Sequence, residues 1–355
     1  MADTSPLLDF LAGNFSTERL PAEAFSLLLA EARTCGLLGR VTKILSESPL
    51  ADSLPPPLQD QLLAASIYSN AFRQDVWREL GHIEQALSSL NIPVILLKGA
   101  SYVLLDLPAA EGRVFSDVDV LVPRNKIASV EAALMLGSWA TGKLDAYDQR
   151  YYRQWSHEIP PMTHLHRGTT IDLHHSLLMT TCRVPVDSSR MISAAVPVGD
   201  SEFWWRLKDE DMVLHAASHL MLNSMFDRGL RDLWDIDLLY RHFTSLSADF
   251  PERLLCRARE VGLEAILTQA LWLSFMFFRT PLPDFLLPLE KSFSLRLVAL
   301  AATTRHPDTR PRGQAWADVA LMLREMYLRL PNNLLLVHLW HKISVLCAGP
   351  PKAVV

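Results

Sequence analysis

The stretch SDVDVLV, residues 116–122, places two carboxylates at alternate positions of an apolar run. Successive side chains of a β-strand point to opposite faces of the sheet, so Asp117 and Asp119 share one face and the valines share the other. Like charges held this close resist joint ionisation unless a cation neutralises them. Carboxylate oxygens are ligands that hard divalent ions prefer. The stretch therefore predicts a strand that carries a magnesium site.

A third carboxylate lies in a second strand-like run, TTIDLH, residues 169–174. If this run lies beside the first strand, Asp172 completes a three-carboxylate centre that can hold two metal ions about 3.5–4 Å apart. Such a centre is typical of phosphoryl or nucleotidyl transfer, in which Asp172 can serve as base or as orienter. His174 alternates onto the face of Asp172 and is expected to border the site, whereas His175 is expected to point away.

The segments before the acidic strand change character near residue 91. Within the N-terminal region of residues 1–90, residues 21–90 carry apolar side chains mostly at three- and four-residue spacing, with three prolines at 55–57 before the longest expected helix. The short apolar run 93–97 then ends at Lys98 and Gly99, which predicts a buried strand that stops at a turn. We therefore expect a helical N-terminal region followed by a β-containing core.

The segments after the acidic strand predict flanking helices and a hairpin. Residues 126–136 fit a helix that Gly137 closes, and the runs on either side of Gly168 fit a hairpin with an irregular turn. The predicted fold class is α+β. A small mixed β-sheet in a core of residues 91–200 is flanked by N-terminal helices and by a helical C-terminal domain of residues 201–355.

Composition limits the classes of partner. A net charge of -5 over 355 residues does not indicate the broad cationic face that extended nucleic-acid binding requires. The four cysteines are far apart, which indicates neither a zinc knuckle nor a disulfide framework. No apolar run reaches the roughly 20 residues of a membrane span, and residues 1–10 lack the pattern of a secretory signal. We therefore expect a cytoplasmic protein that does not act in a membrane.

Together these motifs resemble the uncharacterised nucleotidyltransferase family of the DNA polymerase beta superfamily. The resemblance rests on LLKGA at 96–100, Arg113, SDVDVLVP at 116–123 and IDLH at 171–174, and it continues through DMVLHAASH at 211–219 and LRDLWD at 230–235. It implies a transferase that moves an NMP group from an NTP, with ATP as the expected nucleotide, to a hydroxyl of an unknown small-molecule or protein acceptor. Two magnesium ions would assist.

The resemblance also implies roles for particular residues. The metal-binding and catalytic carboxylates are Asp117, Asp119 and Asp172, and the turn glycine is Gly99. Lys98 and Ser101 can add contacts to the triphosphate. Arg113 could clamp a phosphate or could neutralise the carboxylates without contacting a ligand.

A different class of function stays open because of the residue after Gly99. Ala100 stands where the superfamily has Ser or Gly, and the spacer from 101 to 116 is longer than the superfamily usually has. A catalytically degenerate nucleotide-binding or scaffold protein with the same fold is therefore the alternative. The two hypotheses differ in whether NTP binding leads to release of pyrophosphate.

The histidines suggest a third hypothesis, a metal-dependent hydrolase. His215 and His219 have the spacing of a metalloprotease pair, but Ala216 occupies the position where that chemistry needs a glutamate. We expect this pair to pack inside the helices or to face the nucleotide cleft. A zinc site formed by His157, His164 and His166 is disfavoured, because their spacing crosses the expected hairpin and no cysteine joins them.

Overall fold

A computed structural model describes residues 5–14, 21–48, 54–223, 225–287 and 292–348. The prediction that no signal peptide precedes the fold falls partly on residues 1–4, which lie outside this range. The helices are α1 (Pro6–Leu11), α2 (Ala22–Thr34), α3 (Leu38–Ser46), α4 (Pro56–Leu87), α5 (Lys98–Leu104), α6 (Ile127–Leu136), α7 (Ala146–Gln154), α8 (Ser188–Ser193), α9 (Asp209–Leu222), α10 (Gly229–Leu246), α11 (Phe250–Val261), α12 (Glu264–Phe278), α13 (Phe293–Ala301), α14 (Gln314–Arg329) and α15 (Asn332–Ala348). The strands are β1 (Val94–Leu96), β2 (Asp117–Leu121), β3 (Trp139–Thr141), β4 (Met162–His164), β5 (Thr170–His174), β6 (Val196–Pro197) and β7 (Trp204–Arg206).

The strands form one mixed sheet in the order β3-β4-β5-β2-β1-β7-β6. β2 pairs in parallel with β5 and antiparallel with β1, so the acidic strand lies at the centre. β4 and β5 form the expected antiparallel hairpin around Gly168. The φ of Gly168 is 70°, a conformation that glycine adopts more readily than other residues. The predicted α+β class, with a mixed sheet and flanking helices, is confirmed.

Local signals set the helix boundaries that were expected. The prolines at 55–57 precede and open α4, where the missing N–H of proline costs nothing. α6 ends at Gly137 as predicted. The interruptions of the C-terminal helices near residues 281–287 and 307–311 also coincide with prolines. Pro288, the last proline of the first cluster, lies outside the described residues.

The structure corrects the prediction at two places. Trp204–Arg206 belongs to the region expected to be helical, but it forms β7 and pairs in parallel with β1. Its neighbour in the sheet lies about a hundred residues earlier in the chain, so local spacing could not reveal it. The turn expected at Lys98 and Gly99 is instead the start of α5, which follows β1 almost directly.

One hydrophobic cluster connects the sheet to the helices on both sides of it. Its buried members run from Leu7 in α1 to Leu321 in α14 and include Val120 and Leu173 of the two central strands. None of the helices in the described part of the chain combines the length and the apolar character that a membrane span needs.

Candidate active site

The register of β2 and β5 brings the three predicted carboxylates together. Asp119 lies directly opposite Asp172 in the parallel pair, and Asp117 lies opposite Thr170. Alternation therefore directs Asp117, Asp119 and Asp172 to the same face of the sheet. Oδ1 of Asp172 is buried and has no hydrogen-bond partner within the described residues. The adjacency that the sequence analysis required is present.

The carboxylates open into a cavity of about 390 Å³. Its lining includes the predicted residues Lys98, Gly99, Arg113, Asp117, Asp119, Asp172 and His219. Ser101 does not belong to this lining. Its side chain is buried, and its Oγ has no hydrogen-bond partner among the described residues. His174 and His215 line a smaller neighbouring cavity of about 30 Å³, which His219 also borders.

Lys98 is held at the carboxylates by an uncommon backbone conformation. Its φ is 43°, in the left-handed region that only a few per cent of residues other than glycine adopt. This conformation turns the chain from β1 into α5 and places Nζ 3.3 Å from Oδ1 of Asp119. Burial alone lowers the pKa of Lys98, but the charges of Asp119 and Glu158 outweigh it and raise the pKa. Lys98 is therefore a firmly charged cation in the cavity.

Gly99 is required by packing rather than by a positive φ. A Cβ at this position would lie 2.6 Å from the ring of Phe115, a distance that real Cβ atoms do not tolerate. The same hypothetical atom would lie 3.6 Å from Nε of Arg113. A side chain at Gly99 would therefore displace Phe115, which lines the cavity, whereas the contact with Arg113 would be an ordinary one.

Arg113 neutralises a carboxylate, but not one of the central pair. Its guanidinium forms an ion pair with Asp235 of α10, which also pairs with Arg40. Burial, followed by the positive charge of Arg231, lowers the pKa of Arg113 to about 9. Its Nε has no hydrogen-bond partner among the residues described, so one donor at the cavity is unused.

The three carboxylates titrate very differently. Burial raises the pKa of Asp119, but Lys98 and the hydrogen bond from His174 outweigh burial and hold the pKa below its usual range. Burial and the charge of Asp119 raise the pKa of Asp117. Burial, with the charges of Asp119 and Glu158, raises the pKa of Asp172 to about 8. A divalent cation would relieve this repulsion, so the donor set fits a metal ion.

Glu158 is a site residue that the sequence analysis missed. It lies in the segment between α7 and β4, and an isolated bridge with His174 draws it to the end of β5. Nε2 of His174 lies 3.4 Å from Oε2 of Glu158 and 3.1 Å from Oδ1 of Asp119. The adjacent residues His157 and Glu158 are of metal-ligand type, which is a weak local signal. The position of Glu158 beside β5 depends on a tertiary contact that sequence spacing cannot predict.

The other histidines divide between the site and the sheet edge. Burial, then the charge of Lys98, lowers the pKa of His215 to about 3, and the charge of Lys98, then burial, depresses that of His219. Both imidazoles are therefore neutral; His219 lines both cavities, whereas His215 is buried and lines only the smaller one. His164 instead contacts Arg167 in the β4–β5 hairpin, so the disfavoured cluster of His157, His164 and His166 does not form.

Comparison with known proteins gives one positive finding. A family described as an uncharacterised nucleotidyltransferase has a sequence model that matches residues 21–279, which is well over half of the chain. The match contains β1 to β7, the cavity residues of α9 and α10, and helices α2 to α12. Searches of curated proteins and of solved structures returned no match.

Proposed function

The chain belongs to the uncharacterised nucleotidyltransferase family, and from this premise we propose that it transfers an NMP group from an NTP to a hydroxyl of an acceptor. The observation that carries the proposal is the pairing of Asp119 with Asp172, beside Asp117, at the wall of one cavity. Three carboxylates on neighbouring strands are the donor set that a two-metal mechanism uses. The unpartnered Oδ1 of Asp172 supports this fit.

In the proposed reaction the acceptor oxygen attacks the α-phosphorus of the NTP, and the bond to the β-phosphate oxygen breaks to release pyrophosphate. Magnesium, when bound, would supply charge neutralisation of the triphosphate and of the leaving group. Asp117, Asp119 and Asp172 would hold the metal, and Asp172, kept ionised by the bound cation, would accept the hydroxyl proton. Lys98 and Arg113 would contact phosphate oxygens, and Gly99, which has no side chain, leaves the start of α5 open to them.

The acceptor and the cellular location belong to the same proposal. The net charge of -5 favours a small molecule or a protein over an extended nucleic acid. Cys35, Cys182 and Cys256 are free thiols, which fits a reducing compartment such as the cytoplasm. ATP is the nucleotide to test first.

The test is transfer of label from α-labelled NTPs to components of a cell extract in the presence of magnesium. The doubly substituted Asp117→Asn, Asp119→Asn protein is expected to transfer no label, because it has lost two of the three metal ligands. Asp187→Asn is the matched control. Asp187 caps α8 outside the cavity, and asparagine caps helices equally well, so this variant is expected to retain full transfer.

Two results would contradict an enzymatic function. Equal labelling by the wild type and the double variant would mean that the transfer does not depend on Asp117 and Asp119. Magnesium-dependent stabilisation by NTP, measured as a rise in melting temperature, without pyrophosphate release in any extract would favour the degenerate nucleotide-binding protein that Ala100 suggests.

A further inference from the structure

A second large cavity lies next to the cavity of the carboxylates. Its volume is about 500 Å³, and residues of α2, α3, α4 and α10 contribute to its lining. Val114 and Arg231 line both cavities, so the two are adjacent at these residues. A cavity of this size holds about one small molecule. A transferase must bind its nucleotide and its acceptor together, and two adjacent cavities meet that requirement.

The boundary between the two cavities lies close to the carboxylates. Val114 precedes Asp117 by three residues, and three residues of chain span at most about 11 Å. Arg231 is followed by Asp232, which lines the carboxylate cavity but not the second one. A molecule bound in the second cavity therefore needs only the length of a small metabolite to reach the carboxylates past Val114.

The charged side chains described in the lining of the second cavity are all cationic. They are Arg33, Arg228 and Arg231, and among the described residues no carboxylate belongs to this lining. Arg231 pairs with Asp232 at 2.6 Å. Arg33 and Arg228 are exposed, and neither forms an ion pair within the part of the chain that the structure describes. Two guanidinium groups are therefore available to an anionic ligand.

The uncharged lining of the second cavity is mostly apolar. Its apolar side chains come from α3, α4 and the segment before β2, and they are Leu38, Ala64, Ala65 and Val114, with the polar Gln61 and Tyr68 beside them. A Cβ on Gly36 would lie 3.7 Å from Cγ and Cδ of Arg228, so the apolar stem of this arginine lies along the backbone at Gly36. The cavity thus combines an apolar wall with two unpaired cations.

We propose that the second cavity binds the acceptor, and that the acceptor is a small apolar molecule with an anionic group besides its hydroxyl. The anionic group pairs with Arg33 and Arg228, and the apolar body lies against α3 and α4. The hydroxyl extends past Val114, where its oxygen bonds to the α-phosphorus, its proton passes to Asp172 and pyrophosphate leaves. This assignment rests on the proposed function, and it narrows the acceptor from a small molecule or a protein to a small molecule.

The first test is isothermal titration of the full-length protein, without nucleotide, with three probes of the same chain length: octanoate, octanol and octylammonium. Octanoate should bind most tightly, because it alone complements both the arginines and the apolar wall. Added salt should weaken octanoate binding but not octanol binding, since salt screens the interactions of exposed charges. Equal affinity for octanoate and octanol would overturn the proposal.

Variants locate the binding of the probes. The double variant Arg33→Gln, Arg228→Gln should bind octanoate roughly tenfold more weakly and octanol unchanged, because two partly exposed ion pairs contribute about a factor of 3 each. Arg296→Gln is the matched control, since Arg296 is an exposed arginine of α13 outside both cavities, and it should bind as the wild type does. Octanoate binding of wild-type strength in the double arginine variant would overturn the proposal.

A further variant tests the apolar wall. Ala64 is exposed on α4 and lines the second cavity, so a larger side chain there occupies the cavity without entering the core. Ala64→Phe should therefore weaken the binding of octanoate and octanol alike. Thermal melts of each variant check folding. Unchanged octanoate binding by a folded Ala64→Phe protein would place the probe outside this cavity and contradict the proposal.

The second test asks whether the cavity holds the acceptor or part of the nucleotide. Octanoate should still bind at saturating Mg²⁺ and ATP, and it should inhibit label transfer to extract components by competing with the acceptor. The double arginine variant should transfer label more slowly, while Mg²⁺ and ATP still raise its melting temperature as they do for the wild type. Mutual exclusion of octanoate and ATP would assign the cavity to the nucleotide and overturn the proposal.

The outcomes separate this assignment from the proposed function. Label transfer at the wild-type rate by the double arginine variant overturns the acceptor site and leaves the transferase intact. Octanoate binding that depends on Arg33 and Arg228 supports the site even if the Asp117→Asn, Asp119→Asn protein labels as well as the wild type. That last result would contradict the carboxylate mechanism instead.

Discussion

At the scale of single residues, the site holds several carboxylates so close together that they repel one another when no metal ion is bound. Asp172 is half-buried beside Asp119 and Glu158, and the pKa of its carboxyl is raised to about 8 by burial first and by these charges second. A raised pKa means that the folded protein resists ionisation of the group more than the unfolded chain does. The carboxyl is therefore retained at a cost to stability, which is expected where function requires it.

This cost predicts that Asp172→Asn raises the melting temperature of the metal-free protein. Below about pH 4 the carboxyl is protonated in both states, so wild type and variant should differ little. Between the ordinary aspartate pKa of 3.8 and about 8, the unfolded chain loses the proton while the folded state holds it, so wild-type stability falls as pH rises. Asparagine does not titrate, and its advantage should therefore grow from pH 4 to pH 8. Thermal melts in chelator across this range measure the effect.

The matched control for this series is Asp75→Asn. Asp75 forms an exposed ion pair with Arg78 on α4, and such pairs contribute about 0–1 kcal/mol. Its melting temperature should therefore follow the wild type across the pH series. An Asp172→Asn protein that melts below the wild type at pH 8 would contradict the repulsion inferred for this centre.

At the scale of elements, the features predicted correctly from the sequence are those that a local residue pattern determines. The alternation in residues 116–122 and 169–174 gave β2, β5 and the common face of their aspartates, because side-chain direction in a strand has a period of two. The sequence did not reveal β7, whose pairing with β1 is non-local. It also missed Glu158, which reaches the site through a single bridge to His174. Both depend on tertiary contacts between segments far apart in the chain.

Two glycines allow α3 to approach the segment that leads into β2. A Cβ on Gly39 would lie 2.3 Å from the backbone carbonyl oxygen of Gly112, and Gly112 itself has a φ of 61°. Backbone cannot move aside as a flexible side chain can. Gly39→Ala should therefore lower the free energy of unfolding by about 1–3 kcal/mol, the usual cost of overpacking. Urea denaturation measures this change.

The matched control is the same substitution in α4. Gly81 is exposed within the helix, and a Cβ there meets nothing within 4 Å. Gly81→Ala should stabilise the protein by about 0.5–1 kcal/mol, because alanine favours the helix and contacts no neighbour. If both substitutions have the same sign, the close approach of α3 does not limit packing here.

At the scale of the whole molecule, one buried carboxylate joins the three regions that the sequence analysis distinguished. Asp235 of α10 pairs with Arg40 of α3 and with Arg113, which lies in the segment before the acidic strand. Arg40 also donates from Nε to the carbonyl of Glu111 at 3.2 Å. The three side chains of the network are 4–10% exposed, so their charges depend on one another rather than on water. The domain boundaries at residues 90 and 200 remain a prediction, but this network ties the regions electrostatically.

Asp235→Asn should therefore destabilise the whole protein. It leaves two buried guanidinium groups without a carboxylate, and loss of one partner from a buried pair costs about 3–5 kcal/mol. Asp106→Asn is the control, because Asp106 pairs with Arg73 at the surface, where loss of the pair should cost less than about 1 kcal/mol. Chemical denaturation followed by both fluorescence and circular dichroism gives the free energies. Because one hydrophobic cluster runs through all three regions, the two probes should still report one shared transition, at lower denaturant. Separate transitions for the two probes in Asp235→Asn would mean that the regions unfold independently. A loss of unfolding free energy no larger than that of Asp106→Asn would mean that the network does not stabilise the protein.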